Sequence, residues 1–160
     1  MALTTKELSL LSDNIKMSQN SIKFMQGCTD MCSDPQVAAL CKQIATDRQQ
    51  DVNLLMQHIN QMVHQKWHRR RRCIGGAVMT SDREILNAIL NDHKLAASSL
   101  TTLVMEGSNQ EVRNDVNRVL TNVFNQQKKV FDLMNTKGWY NVKQATQQDA
   151  TMAQQQLSQS

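Results

Sequence analysis

Four stretches of this chain repeat apolar residues at steps of three and four, the spacing that aligns side chains along one side of an α-helix. The stretches cover about residues 4–31, 35–64, 81–106 and 109–137. One proline and five glycines interrupt the 160 residues, and β-branched and aromatic runs are scarce, so strands are disfavoured. The sequence therefore predicts an all-α domain of four long amphipathic helices.

Each predicted helix has one apolar stripe, which must face a common core. The stripes comprise Leu8, Leu11, Ile15, Ile22 and Met25; Val37, Cys41, Ile44, Leu55 and Met62; Ile85, Leu86, Ile89, Ala96, Leu100 and Leu103; and Val112, Val116, Leu120, Val123, Val130 and Met134. In the first stripe, Ser18 fills the gap between Ile15 and Ile22. Because each helix has a single apolar side, a bundle is the expected packing.

Capping residues mark the predicted ends of the helices. The expected N-caps are Thr4 or Thr5, Ser33 or Asp34, Ser81, and Asn109. Pro35 suits the first turn of the second helix, and Glu84, three residues after Ser81, completes a capping box. Gly138 follows the basic Lys137 and is suited to end the fourth helix in a left-handed turn.

The segment 65–80 between the second and third helices is unusually long. Its roughly 16 residues reach at most about 53 Å, whereas a helix of roughly 28 residues is about 42 Å long. The connector can therefore run the length of a bundle, which favours a ferritin-like antiparallel four-helix bundle with a long crossover between helices 2 and 3. We expect residues 1–140 to form the bundle, and 141–160 a Gln-rich C-terminal tail that is a loosely attached short helix or frayed.

The middle of the bundle decides between an enzyme and a structural protein. A ferritin-like di-iron centre requires a Glu on each of two helices and Glu-x-x-His on each of the other two. The inward residues at that height are instead Ile15 or Ser18, Arg48 and Asp51, His93, and Val123 and Gln126. We therefore expect no cofactor and a buried polar network. The alternative is a degenerate metal site that uses Asp51 and His93.

Three of the four cysteines lie near the first interhelical turn. Cys28 and Cys32 share a helical face, and Cys41 faces them from the second helix. Zinc is not favoured because no fourth ligand is near, and Cys41 fits as a small core residue. Cys28, Cys32 and Cys73 are candidates for disulfide cross-links in an oxidised assembly.

The basic residues of the chain concentrate in the connector. The stretch 64–83 carries six Lys and Arg and one Asp, a net +5, within a chain of net +4. Arg69, Arg70, Arg71 and Arg72 are consecutive, and we interpret them as a charged loop that faces solvent or binds an acidic partner. Nucleic acid is the disfavoured alternative, because aromatic residues do not alternate with the arginines.

Membrane insertion and secretion are not expected from this sequence. No apolar run is long enough to span a bilayer, and the start MALTTKELSLL lacks the basic and apolar regions of a secretory signal. The sequence therefore predicts synthesis and retention in the cytosol.

The end of the fourth helix resembles a known family. In FDLMNTKGWYNVKQA, residues 131–145, the residues Met134, Gly138, Trp139, Tyr140 and Ala145 stand where the coat F domain family of spore coat proteins characteristically has a Met, a Gly-Trp-Tyr and an Ala. The segments SDREILNAILNDHKLAASSL and SDPQVAALCKQIATDRQQDVNLLMQHI are similar to the two halves of the family. Where the family often has Glu-Lys, this chain has His93-Lys94, and its connector is expanded.

The resemblance implies a non-enzymatic structural protein of the bacterial endospore coat, made in the mother-cell cytoplasm. It implies contacts with other spore coat proteins and a homo-oligomer, a dimer or a larger assembly. On physical grounds, Gly138 would turn the chain so that Trp139 and Tyr140 form a lid over the end of the bundle.

Overall fold

The structure, a computed structural model, describes residues 3–61, 81–142 and 144–158. These residues form five helices and no strand. The helices are α1 (Thr5–Thr29), α2 (Pro35–Asn60), α3 (Asp82–Glu106), α4 (Gln110–Thr136) and α5 (Gln147–Ser158). The all-α prediction is confirmed.

The long helices begin where the sequence places their caps. Thr4 caps α1 in a capping box: its hydroxyl accepts from the Glu7 amide at 3.2 Å, and the Glu7 carboxylate accepts from the Thr4 amide at 2.7 Å. Ser81 and Glu84 form the same arrangement at α3. Asp34 caps α2 ahead of a proline, and Asn109 caps α4. These side chains satisfy amides that have no partner inside their own helix.

Hydrogen bonds at the two ends of the bundle fix the direction of each helix. At one end, here called the α1–α2 end, the carboxylate of Asp82 accepts from the Ser33 and Asp34 amides at 2.9 and 2.8 Å. Lys137, just after α4, forms an ion pair with Asp34 at the same end. The starts of α2 and α3 and the end of α4 therefore meet beside the α1–α2 turn.

At the opposite end, here called the α3–α4 end, the start of α1 meets the α3–α4 turn. The carboxylate of Glu7 accepts from the Ser108 and Asn109 amides at 2.6 and 2.7 Å. His58, close to the end of α2, lies 2.8 Å from Asp115 in the second turn of α4. Helices α2 and α3 thus start at one end and run in the same direction. This shared direction is the one that the predicted ferritin-like bundle requires, and the connector itself lies outside the described residues.

The core combines one stripe from each of the four long helices. Its buried apolar residues are Leu11, Ile15, Ile22, Met25, Cys28, Val37, Cys41, Ile44, Ala45, Val52, Leu55, Ile85, Leu86, Ile89, Leu90, Ala96, Leu100, Leu103, Val112, Val116, Val119, Val123, Val130 and Met134. Most of the predicted inward positions are in this set, and Met62 lies outside the described residues.

The burial of individual residues differs from the prediction on two helices. On α1, Ser21 is 5% exposed, whereas Ser18 is only partly buried, and the polar Glu7 is buried where Leu8 was expected to face inward. On α4, Val119 is buried and Leu120 is half-buried. The other predicted stripe residues of both helices are buried, so these are local differences that a stripe of mixed three- and four-residue steps does not determine.

The Gln-rich tail contains α5. Thr146 and Asp149 form reciprocal hydrogen bonds at its start, between 2.8 and 3.2 Å. Its side chains are exposed in 147–157. Within the part of the chain that the structure describes, no helix is long and apolar enough to cross a membrane.

Candidate functional site

A layer of polar side chains crosses the middle of the bundle, and each long helix contributes to it. We call this layer the polar centre and define it as Ser21, Arg48, Asp51, Asp92, His93, Asn122 and Gln126. The repeat of three and four residues brings these polar side chains to inward positions halfway along otherwise apolar stripes. Arg48, His93 and Gln126 are at most 2% exposed, so each must find partners inside the protein.

The guanidinium of Arg48 is held by α1 and α3. Its Nη1 lies 2.8 Å from Asp92 Oδ2 and donates to the Ser21 hydroxyl at 3.0 Å. The same hydroxyl donates to Asp92 Oδ2 at 2.7 Å. Burial lowers the pKa of Arg48, whereas the charges of Asp92 and Asp51 oppose that change. A guanidinium with an adjacent carboxylate stays cationic, so Arg48 places a positive charge inside the bundle.

Asp51 is one helical turn from Arg48 on the same face of α2. Its Oδ1 accepts a hydrogen bond from Asn122 Nδ2 at 2.7 Å, which connects α2 to α4. Burial raises the pKa of Asp51, while the Asn122 hydrogen bond and the Arg48 charge partly offset the rise. This carboxyl therefore takes up a proton more readily than an exposed aspartate does.

His93 contacts its own helix and α4. Its Nδ1 lies 2.7 Å from the carbonyl oxygen of Ile89, and its Nε2 lies 3.2 Å from Gln126 Oε1. Burial lowers the pKa of His93, and the positive charge of Arg48 lowers it further. The imidazole is therefore neutral near pH 7.

The donor set of the polar centre does not fit the metal pair of ferritin-like enzymes. Asp92 is engaged by Arg48 and Ser21, and both ring nitrogens of His93 have partners. A guanidinium at the same level repels cations. Across 3–61, 81–142 and 144–158, no three His, Cys, Asp or Glu side chains are grouped as metal ligands. Asp51 and His93, the predicted alternative pair, belong to no such group.

The Gly-Trp-Tyr segment follows α4 at the α1–α2 end of the bundle. Gly138 has a φ of 68°, and two hydrogen bonds close the turn: the Gly138 amide to Asn135 O at 3.0 Å and the Trp139 amide to Met134 O at 2.8 Å. This is the Schellman pattern, which needs a residue that tolerates positive φ. Trp139 and Tyr140 are half-buried against the core.

Two ring contacts hold the segment in place. Tyr140 meets Phe131 edge to face, with ring centroids 5.1 Å apart and planes at 68°. Lys137 Nζ lies 5.6 Å from the centre of the Trp139 ring and pairs with Asp34. The ion pair thus attaches the end of α4 to the start of α2, and the ring contacts hold the Gly-Trp-Tyr segment against α4 and Lys137.

Three thiols lie together near the same end. Cys28 and Cys41 are buried and Cys32 is partly buried, all three as free thiols; Cys32 Sγ donates to the Cys28 carbonyl at 3.1 Å. Burial, aided by neighbouring thiols and by Asp82, raises the pKa of Cys41 to about 12. The pKa values of Cys28 and Cys32 are raised as well, mainly by burial. These thiols are therefore weak nucleophiles at neutral pH.

Two of the predicted sites fall outside the described residues. They are the arginine run, Arg69 to Arg72, and Cys73, the proposed partner in cross-linking. Both stay predictions.

Sequence reasoning missed the contacts of charged side chains that attach the ends of the helices to each other. Glu7 was recognisable as the third residue of a capping box, but its second set of partners, at Ser108 and Asn109, lies about 100 residues away. Asp82 carried no signal beyond an acidic residue in a first helical turn. The contact of His58 with Asp115 depends on the pairing of α2 with α4, and no local pattern indicated it.

Comparisons with known proteins agree with this geometry. Residues 81–143, which span α3, α4 and the Gly-Trp-Tyr turn, match the family model described as the Coat F domain. A sequence comparison with curated proteins finds no match.

Two solved structures share the fold. A candidate spore coat protein from Bacillus halodurans C-125 superposes with a TM-score of 0.77 at 13% identity, over 91% of this chain and 96% of that one. A two-domain protein from Anabaena variabilis ATCC 29413, with DJ-1/ThiJ/PfpI-like and ferritin-like domains, gives a TM-score of 0.70 at 13% identity over 90% of this chain. The chain spans about two fifths (41%) of the Anabaena protein. At this identity the two likenesses establish the fold.

The sequence match and the fold comparison are consistent with each other. The family signature lies in the α3–α4 hairpin and ends at the turn where Gly138 adopts positive φ, and the whole bundle has the ferritin-like helix order. The chain therefore has a ferritin-like fold, and its residues 81–143 resemble the Coat F domain.

Proposed function

We propose that this chain is a structural protein of the bacterial endospore coat that has no catalytic activity and acts through self-association and contacts with other coat proteins. The observation that carries the proposal is the Coat F domain match over residues 81–143. The Bacillus halodurans protein, described as a candidate spore coat protein, supports it by matching the fold over nearly its whole length.

The chemistry of the polar centre supports a role without catalysis. Ser21, Arg48 and Asp92 form a closed set of contacts between 2.7 and 3.0 Å, and His93 bonds to Ile89 and Gln126. Such a network connects helices and leaves no carboxylate pair for redox metals. It is a means of specifying how the four helices pack.

Assembly is the activity that we propose for the surface. The bundle exposes large apolar side chains at Met31, Leu95, Met105 and Phe124, and the sequence adds the run Arg69 to Arg72 in the crossover. Apolar residues contribute to self-association, and the arginines favour acidic surfaces of other coat proteins. We propose a homo-oligomer, a dimer or larger, produced in the mother-cell cytoplasm and deposited on the forespore.

The experiment is to follow a fluorescently tagged chain in sporulating cells of its source organism. The proposal predicts that the signal appears in the mother cell and then forms a shell around the forespore. The matched control is the same tagged chain with Arg48→Asp, which buries a carboxylate against Asp92 and should prevent folding and deposition. A signal confined to vegetative cells, or spread evenly through sporulating cells, would contradict the coat role.

A further inference from the structure

Four buried polar atoms of the polar centre have no hydrogen-bond partner among the described residues. They are Nε and Nη2 of Arg48, Oδ2 of Asp51 and Nε2 of Gln126. The three residues are 1%, 6% and 2% exposed. An unpaired polar atom at such depth costs roughly 1–3 kcal/mol, so four of them within about one helical turn indicate a bound polar partner.

The helix directions place these three residues within about one helical turn of each other along the bundle. Asp51 on α2 is bonded to Asn122 on α4 at 2.7 Å, and the two helices run in opposite directions. One turn from Asp51 toward the α1–α2 end lies Arg48, and one turn from Asn122 toward the same end lies Gln126. Arg48 and Gln126 are therefore at the same height on facing helices, with Asp51 one turn away.

His93 determines which way the amide of Gln126 points. The Ile89 carbonyl can only accept, so His93 Nδ1, at 2.7 Å, must donate to it. A buried imidazole beside the Arg48 guanidinium carries one proton, so Nε2 is an acceptor. The atom of Gln126 that lies 3.2 Å from Nε2 must then be the amide nitrogen, because a carbonyl oxygen there would face another acceptor.

When the Gln126 side-chain amide is reversed, its oxygen replaces its nitrogen in the set of unpaired atoms. The set then consists of two donor nitrogens on Arg48 and two acceptor oxygens, one on Asp51 and one on Gln126. A water molecule accepts two hydrogen bonds and donates two. A cation would be repelled by Arg48 and an anion by the acceptor oxygens of Asp51 and Gln126, so neither ion matches this set as water does.

We propose that the polar centre binds one structural water molecule between Arg48, Asp51 and Gln126, with His93 held as the neutral tautomer protonated at Nδ1. The water joins α2 to α4, and Arg48 continues the network to α1 and α3 through Ser21 and Asp92. This site does not depend on the coat role, because any function of the bundle would leave the same atoms to be satisfied.

The first test is nitrogen NMR of the full chain with labelled histidine. At neutral pH we expect His93 to show a protonated Nδ1 and an unprotonated Nε2, and to keep that pattern until the protein unfolds in acid. An imidazolium, or a proton on Nε2, would overturn the assignment of His93 and with it the reversed amide.

The second test is a high-resolution crystal structure of the full chain. We expect one solvent peak within hydrogen-bond distance of Arg48, Asp51 and Gln126, without anomalous signal from a metal or halide. A dry centre, or an ion in that position, would overturn the proposal.

The variant Gln126→Glu separates the two orientations of the side chain. A carboxylate has no N–H to offer Nε2, so His93 should gain a second proton and become an imidazolium at neutral pH. If Gln126 instead presents its carbonyl to a protonated His93, the substitution leaves the nitrogen spectrum unchanged and the proposal is wrong. The control is Gln127→Glu, which adds the same charge at the next residue and should leave His93 neutral. If Gln126→Glu does not fold, the spectrum of the native chain still decides the question.

Discussion

Glu7 Oε1 accepts a hydrogen bond from the backbone amide of Asn109 at 2.7 Å, so a side chain in the first turn of α1 caps the first turn of α4. Oε1 also accepts from the Ser108 amide, and Oε2 accepts from the amide and hydroxyl of Thr4. Burial alone would raise the pKa of Glu7, but the hydrogen bonds from Asn109, Thr4 and Ser108 lower it to about 2. One carboxylate thus caps two helices that start at the same end of the bundle.

We expect Glu7→Gln to destabilise the protein by about 1–3 kcal/mol at pH 7, because a charged acceptor of several buried donors is replaced by a neutral amide. The measurement is urea unfolding followed by circular dichroism. The control is Glu106→Gln, which removes an exposed carboxylate paired with Lys6 at the same end and should cost less than about 1 kcal/mol. Equal losses in the two variants would contradict the double-capping role.

The same carboxylate predicts a dependence of stability on acid. The folded pKa of Glu7, about 2, lies below the ordinary value of 4.5, so its contribution is complete above about pH 4.5 and is lost as the pH falls toward 2. Unfolding free energies measured from pH 6 to pH 3 should therefore fall more steeply for the native chain than for Glu7→Gln. Parallel curves for the two proteins would show that Glu7 is not the carboxylate responsible.

The Arg48–Asp92 pair should behave as a coupled unit. Arg48→Met leaves Asp92 and Ser21 without their donor. It should cost about 2–4 kcal/mol of stability, because breaking a buried pair leaves a charge without its partner. Arg48→Met combined with Asp92→Asn should lose less than the sum of the single losses. Lys16→Met, which removes an exposed cation 3.8 Å from Asp13, serves as the control and should change stability by less than about 0.5 kcal/mol. Additive losses at the buried pair would indicate that the two groups do not interact.

Two glycines provide opposite predictions from the same substitution. A Cβ added at either Gly138 or Gly27 meets nothing within 4 Å, but Gly138 has a φ of 68°. Gly138→Ala should therefore cost about 1 kcal/mol through backbone strain alone, whereas Gly27→Ala, within α1, should stabilise the protein by up to about 1 kcal/mol. Thermal unfolding of both variants checks the signs. A stabilising Gly138→Ala would mean that the turn after α4 does not require positive φ.

The buried thiols should resist modification. With a pKa of about 12 against the ordinary 9.0, Cys41 has roughly a thousandth of the usual thiolate at neutral pH. In a Cys73→Ser variant, a thiol reagent should modify Cys41 slowly in the native protein and rapidly in denaturant, and mass spectrometry of digested samples identifies the site. Rapid native modification of Cys41 would contradict its burial.

The local features of the fold could be predicted from the sequence, and the tertiary contacts could not. Thr4, Asp34, Ser81 and Asn109 are caps whose partners lie two or three residues away, so their patterns are visible in the sequence. The shared direction of α2 and α3 followed from the length of the segment between them, and the inward Arg48 and His93 followed from helical periodicity. The burial of Ser21 in place of Ser18 depends on tertiary contacts, because Arg48 and Asp92 both bond to the Ser21 hydroxyl.

The residues of the candidate site could likewise be predicted, but their contacts across helices could not. The residue types at mid-bundle indicated a polar network, but not which groups pair. The partners of Asp51 and His93, Asn122 and Gln126, lie on α4 and depend on the register of that helix against α2 and α3. The second role of Glu7 likewise depends on where the α3–α4 turn approaches α1.

The metal content of the polar centre tests the central claim most directly. The full chain, purified without a metal-binding tag from cells grown with added iron and manganese, should contain far less than one transition-metal ion per chain by mass spectrometry, because Arg48 occupies the centre with Asp92 and Ser21. About one or two ions per chain, lost in Asp51→Asn or His93→Ala but retained in the surface variant Asp13→Asn, would contradict the structural role and show that this bundle holds a metal centre.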